Sequence, residues 1–179
     1  MQSCAFTGYR PGRFVFKEKE DHPACLLLKS RIMDEIKKLY ECGIRRFYTG
    51  CAQGVDLWAG EAVLQLRETH ADVRLICVLP YAGHESRWKE EQQRRCRRLV
   101  EKCDETVTLS ASADGKSYLM RNRFLVEQTD ILLAVYSEES CPRRSGTGYT
   151  VNYARSLGRK IIFLNPEQAA VQRVICQKH

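Results

Sequence analysis

The chain has 179 residues, 44% of them hydrophobic, with a formal charge of +7. That is enough for one three-layer core over residues 1–179, and no apolar run reaches the roughly 20 residues that span a bilayer. The opening Met1-Gln2-Ser3-Cys4-Ala5-Phe6 has no basic region ahead of a long apolar one, so a secretory signal is not expected.

The nine cysteines are an odd number, and the closest pair is Cys96 and Cys103, which excludes C-x-x-C zinc and redox motifs. Cys4, Cys25 and Cys77 lie in apolar segments where a small hydrophobe fits. The expectation is a single cytoplasmic domain with reduced thiols, no structural metal and no membrane segment. Much of the excess charge is local: Arg94, Arg95, Arg97 and Arg98 crowd between Arg87 and Lys102. Glu85, Glu90, Glu91 and Glu101 dilute the cluster, which reads as a solvated helix face.

In chain order, residues 3–7 form an apolar strand that runs into Thr7-Gly8-Tyr9-Arg10-Pro11-Gly12-Arg13, poor core material and good ligand-loop material. Cys25, Leu28, Ile32, Ile36 and Leu39 share one face of a helix over 24–42, which Gly43 stops. A buried strand over 44–48 leads through Thr49-Gly50-Cys51-Ala52-Gln53-Gly54 into a helix over 55–69. Residues 73–79 read as a central parallel strand, apolar on both faces, ending in a turn at Pro80-Tyr81.

A weakly apolar helix over 86–102 and a short strand over 105–109 follow, then a polar loop over 110–116. A helix over 117–128 carries Met120-Arg121-Asn122-Arg123, and a buried strand covers 131–136. The loop 137–148 leads to a helix over 149–157 closed by Gly158, a last strand over 160–164 and a short tail.

Strand and helix alternate almost throughout, which argues for a doubly wound, mainly parallel α/β sheet with helices on both faces. Ligands in such folds bind at the carboxyl ends of the strands, near the point where strand order reverses. The loops bearing Gly8 and Arg10, Gly50 and Gly54, Pro80 and Tyr81, and Ser145-Gly146-Thr147-Gly148 all fall on that edge. The two glycine loops each open a helix, so each offers backbone N–H groups and a positive dipole end to an anion, most often a phosphate.

Neither loop is a Walker A sequence, and no G-x-G-x-x-G follows the first strand, which argues against ATP hydrolysis and against an ordinary dinucleotide-dependent dehydrogenase. His22, His70, His84 and His179 sit in polar, exposed-looking segments without a partner motif. Asp56, in the first turn of its helix, suits a cap or a ribose contact. Arg10 and Arg121 suit bidentate pairing with phosphate.

Together, Thr7-Gly8-Tyr9-Arg10-Pro11, residues 50–61, Leu79-Pro80-Tyr81 with Trp88-Lys89, Arg121-Asn122-Arg123, Thr129-Asp130 and Gly146-Thr147 resemble the YpsA-like branch of the SLOG superfamily. The resemblance runs in order through nearly the whole chain. It implies a Rossmann-like domain that binds a nucleotide or a nucleotide-derived signal, ADP-ribose-like molecules among them, with no cofactor required. Related families also imply a homodimer.

Residues 50–56 look like the glycine turn of the DNA-processing protein DprA, which binds single-stranded DNA. Gly146-Thr147 looks like the turn of the Lonely Guy phosphoribohydrolases, which cleave the base from a nucleoside monophosphate. Those enzymes place a glutamate three residues after their Gly-Thr, where this chain has Thr150. An oxocarbenium-like transition state needs an anion, so a hydrolase here would depend on Asp56 as its catalytic residue. No aromatic residues interleave with the arginine cluster to stack bases. The reading therefore ranks ligand sensing first, N-glycosidic cleavage of a nucleotide second and single-stranded DNA binding third. The expected ligand contacts are Gly8, Arg10, Gly50, Gly54, Asp56, Pro80, Tyr81, Arg121, Ser145, Gly146, Thr147 and Gly148.

Overall fold

A computed structural model describes residues 2–137, 145–167 and 171–175. Most of the loop expected over 137–148 thus lies outside the described residues, as do Cys141 and Cys176. The strands are β1 (Ser3–Gly8), β2 (Arg46–Thr49), β3 (Arg74–Tyr81), β4 (Glu105–Ser110), β5 (Ile131–Val135), β6 (Lys160–Leu164) and β7 (Val171–Ile175). The helices are α1 (Pro23–Glu41), α2 (Val55–Arg67), α3 (Glu90–Lys102), α4 (Ser117–Glu127) and α5 (Gly146–Ser156).

The sheet order is β4-β3-β2-β1-β5-β6-β7, with β1 to β6 parallel and β7 antiparallel to β6. This is the doubly wound, Rossmann-like arrangement. Strand order reverses between β1 and β5, so helices on either side of that point cross opposite faces. Accordingly α1, α2 and α3 pack in one layer, and α4 packs beside α5 in the other. Both faces are covered, which is why β1, β3 and β5 read as continuous apolar runs. Among the described residues no helix is long and apolar enough to cross a membrane.

Four local departures from the sequence pattern have physical causes. Pro80 and Tyr81 form the end of β3 and not a turn. The β2 partner stops at Cys77, so Pro80 leaves no ladder bond unmade on that side, while Tyr81 still pairs with Ser110 of β4. α3 begins at Glu90 and not at 86, because tight turns come first, with Ser86 donating to the Gly83 carbonyl and Trp88 to that of Glu85. α5 begins at Gly146 and not at 149, because the Ser145 hydroxyl accepts from the Gly148 amide and caps it. The tail after β6 returns as β7, whose V-Q-R-V-I run lacks the alternation of a half-buried strand.

Two charge and burial expectations also change. His84 is buried and not exposed: its Nε2 sits 3.2 Å from the Cys51 carbonyl oxygen, and its ring lies edge-on to Trp88. The arginine cluster on α3 is not uniformly solvated. Arg94 and Arg98 are exposed, but Arg95 turns inward and donates from Nε and Nη2 to the Glu61 carboxylate, 2.7 Å each. Its Nη1 reaches Glu20 at 2.6 Å. Glu20 belongs to residues 9–22, a strap that crosses α2 with Phe14 and Phe16 packed on the Trp58 ring.

Burial by itself would raise the Glu20 carboxyl, but hydrogen bonds from Arg95 and Lys29 outweigh it and hold the group at about 2. A depressed carboxylate contributes stability above its unfolded value of about 4.3, and that stability is lost as pH falls toward 2. With solvent screening allowed for, the loss specific to Glu20 is expected to be about 1–2 kcal/mol. Urea titrations at pH 6 and pH 2.5 check this: Glu20→Gln, which cannot titrate, should lose that much less stability than the parent chain.

Candidate functional site

β1 and β5 stay paired to their last residues, Gly8 and Val135, and a cleft of about 400 Å³ lies beyond the carboxyl end of β1, at the point of strand reversal. β1 contributes Phe6, Thr7 and Gly8, and the following loop contributes Arg10 and Arg13. Ala52 comes from the β2–α2 turn, Asp56 from the first turn of α2, Tyr118, Arg121, Asn122 and Leu125 from α4, and Ser145, Gly146 and Thr147 from the start of α5. Ala52 of the turn after β2 and the start of α5, with its cap Ser145, therefore border one shared cleft.

The back of the cleft is a buried ion pair. Arg121 Nη1 donates to Asp56 Oδ2 at 2.9 Å and to the Gly50 carbonyl at 2.8 Å, with both side chains more than nine-tenths buried. Burial pushes the Asp56 carboxyl above the usual range, although the Arg121 charge and the Ala52 amide pull the other way. The Arg121 Nε is buried and has no hydrogen-bond partner. A buried guanidinium N–H left unmade is costly, and this one belongs to a side chain that lines the cleft.

Gly50 and Gly54 do not line the cleft; each makes room for another part of the chain. A Cβ on Gly50 would sit 1.7 Å from Arg121 Nη1. One on Gly54 would sit 2.7 Å from the Tyr9 carbonyl oxygen and 3.1 Å from Pro11 Cδ, and the residue holds φ +87°, a left-handed conformation. Two amides of the turn are taken internally, Cys51 by the Thr49 hydroxyl and Ala52 by Asp56. Much of the turn after β2 therefore satisfies itself and supports its neighbours.

The open helix end is that of α5. A Cβ on Gly146 would meet nothing within 4 Å, and its backbone lines the cleft. The Thr147 hydroxyl donates to the Gly8 carbonyl at 3.0 Å, which pins α5 to β1. With the Gly148 amide capped by Ser145, the Gly146 and Thr147 amides form the positive end that faces the space. Arg10 is exposed at the rim, its guanidinium 5.8 Å from the Tyr118 ring centre.

A family model described as the YspA SLOG family matches residues 4–168. The chain belongs to this SLOG family. UPF0398 proteins of Bacillus thuringiensis (strain Al Hakam) and Bacillus cereus (strain B4264) are similar to it, each 28% identical over 161 residues that cover 88% of this chain and 85% of theirs. Among solved structures, DNA processing protein A from Helicobacter pylori, described for its single-stranded DNA binding mode, superposes with a TM-score of 0.61 at 15% identity. The match covers 92% of the SLOG chain and 65% of that one. DprA from Streptococcus pneumoniae superposes at 0.54 with 16% identity, covering 91% of the SLOG chain and 50% of its own. The SLOG chain thus spans less than two thirds of either protein, and the likeness is one of fold.

Of the expected ligand contacts, the SLOG fold brings Gly8, Arg10, Asp56, Arg121, Ser145, Gly146 and Thr147 together around the cleft. Gly50, Gly54, Pro80, Tyr81 and Gly148 lie outside its lining. Tyr81 stands one layer back, its hydroxyl 3.4 Å from that of Tyr118. Tyr118 and Asn122 were not among the expected contacts. Their signal was spacing: Tyr118 and Asn122 flank Arg121 on one turn of α4, at i−3 and i+1. Among the described residues, no group of three or more His, Cys, Asp or Glu side chains could hold a metal ion.

The two glycine positions should separate in mutagenesis. Gly54→Ala is expected to cost roughly 1–3 kcal/mol through backbone strain and the clash with Tyr9. Gly146→Ala should stay within about 0.5 kcal/mol of the parent. Thermal denaturation distinguishes them. Arg121→Met should cost about 3–5 kcal/mol, because it strands the Asp56 charge in the interior. Adding Asp56→Leu should recover part of that loss.

Proposed function

We propose that the cleft at the strand reversal binds a nucleotide-derived small molecule of the ADP-ribose type, and that the protein senses this ligand without cleaving it. The observation that carries the reading is the unpartnered, buried Nε of Arg121, a residue that lines a cleft also bordered by the N-terminus of α5. A phosphate oxygen is suited to both, because it accepts charge-assisted hydrogen bonds from a guanidinium and from helix-end amides. Arg10 at the rim supplies a further cation, and the Tyr118 ring a face for the organic part of the ligand.

Two features favour sensing over hydrolysis. Thr150, in the position where the Lonely Guy enzymes carry a glutamate, is buried and donates its hydroxyl to the Gly146 carbonyl. Asp56 is held against Arg121, which neutralises the anion that an oxocarbenium-like transition state would need. Binding of single-stranded DNA, as described for the Helicobacter pylori protein, is the competing reading. A strand of phosphates would call on exposed cations along a groove. On α3, however, Arg95 and Arg97 are each engaged with glutamates of their own chain.

Calorimetry with ADP-ribose, NAD and nucleoside monophosphates, run beside a single-stranded DNA titration at two salt concentrations, tests the proposal. Saturable binding of a nucleotide is expected, weakened in Arg10→Ala by about 1.5–3 kcal/mol, the typical net worth of a charged hydrogen bond. Chromatography of the same mixtures should show no free base. Failure of every nucleotide to bind at millimolar concentration would overturn the reading. Release of base that stops in Asp56→Asn would replace it with the hydrolase.

A further inference from the structure

The arginine cluster of α3 is the sequence feature that the cleft reading leaves unused, and Arg95 stands apart within it. Its neighbours Arg94 and Arg98 are exposed, whereas the Arg95 side chain is 19% exposed and its three nitrogens meet two carboxylates. Burial would lower the guanidinium's proton affinity, but Glu61 and Glu20 outweigh that and raise it, so the side chain stays a cation. Glu61 is on α2, and the pair between α2 and α3 by itself would be an ordinary inter-helix bridge. The contact to Glu20 differs, because Glu20 lies on the strap.

Beyond Glu20, the far end of the strap is held by an exposed ion pair between Glu18 and Lys89 and by His22, which caps α1 with its ring and its carbonyl. Among the described residues, its backbone hydrogen bonds run between residues three apart: Arg13 to Arg10, Phe14 to Pro11, Lys17 to Phe14, Lys19 to Phe16 and His22 to Lys19. These are successive tight turns with no ladder to the sheet, so side chains fasten the segment. At its start the Tyr9 hydroxyl bonds the Ser137 backbone, and in the middle Phe14 and Phe16 stack on each other and pack tilted against Trp58. At its end Glu20 receives both Arg95 and Lys29. Between these anchors lie Arg10 and Arg13, the two cations that the strap contributes to the cleft lining.

We propose that Arg95 is a positioning residue for the cleft: by holding Glu20 it fixes the strap that carries Arg10 and Arg13 over the anion-binding end. The proposal rests on the phosphate-binding reading of the cleft. Its mechanical half, the latching of the strap, stands apart from any ligand. Arg95 touches no ligand itself, and its effect on binding passes through the backbone of residues 10–20. An exposed arginine of the same helix should have no such effect, since its charge is solvated and no chain segment depends on it.

The test uses the full chain and inorganic pyrophosphate as the anionic probe. Hydrogen exchange followed by mass spectrometry over residues 10–22, with calorimetry of pyrophosphate binding, is run on the parent, Arg95→Ala, Arg95→Lys, Glu20→Ala, Arg95→Ala with Glu20→Ala, and Arg94→Ala with Arg98→Ala. Arg95→Ala is expected to speed exchange in the strap at least tenfold and to weaken pyrophosphate several-fold, with exchange in β1, β3 and β5 unchanged. The Arg95–Glu20 double variant should lose less than the sum of the two single ones, because the two share one link, while Glu61 and Lys29 are lost separately. Arg95→Lys, which keeps the charge but loses the fork, should fall between, and the Arg94–Arg98 variant should match the parent. Faster strap exchange with unchanged affinity would overturn the positioning role, as would weakened affinity with an unchanged strap. If the parent does not bind pyrophosphate, the cleft reading and the positioning role both fall, while the exchange data still decide whether Arg95 latches the strap.

Discussion

One guanidinium holds the two halves of the sheet edge together. Arg121 projects from α4, the helix that carries the chain across from β4 to β5, and ends against the turn between β2 and α2. It spans the strand reversal, where no backbone ladder can tie the loops to one another. It fits only because Gly50 has no side chain, and Asp56, buried against it, balances its charge. Removing either partner would leave an uncompensated charge in the interior, so the pair sets a geometry that tolerates few alternatives. The cleft is the space left in front of that pair.

The other side of the cleft depends on a chain segment with almost no regular structure. Residues 9–22 cross α2 on a bed of aromatic rings, Phe14, Phe16 and Trp58, and Gly54 gives way beneath Tyr9 and Pro11. An aromatic bed supplies burial and a preferred ring geometry but no charge-assisted bond. Such bonds come from the ion pairs at the strap's end, where Glu20 meets cations from α1 and α3. A glycine turn that looked like a ligand loop is thus a support for two arginines, one from α4 and one on the strap.

The lining of the cleft is correspondingly asymmetric. One wall is the mouth of α5, whose amides carry a partial positive charge and whose hydroxyls are spent on Gly8 and on the helix cap. The opposite wall carries Arg10 and Arg13, with the Tyr118 ring between Arg10 and Arg121 at 5.8 and 6.0 Å. Apolar floor at Phe6 and Leu125 completes it. Cationic walls over an apolar floor suit a molecule with a phosphate at one end and a flat organic body at the other.

The alternation of strands and helices, the parallel sheet and the edge that carries the cleft were legible in the sequence. They follow from hydrophobic period and turn chemistry, which act between residues close in the chain. Seven of the twelve expected contacts reached the cleft: six lie at or after strand ends, which topology gathers, and the seventh, Arg121, arrives from within α4. What each glycine makes room for was not legible, because Gly50 and Arg121 are 71 residues apart and Gly54 faces a loop that precedes it by more than 40 positions. Arg95 and Arg94 look alike as letters, and only the packing of α3 against α2 and the strap turns one inward and leaves the other in water. His84 is likewise polar by type and buried by position, because the turn after β3 folds it beneath Trp88 and against Cys51. Local pattern determined the elements and the edge they share; contacts between distant residues decided which polar side chains face the cleft and which hold it open.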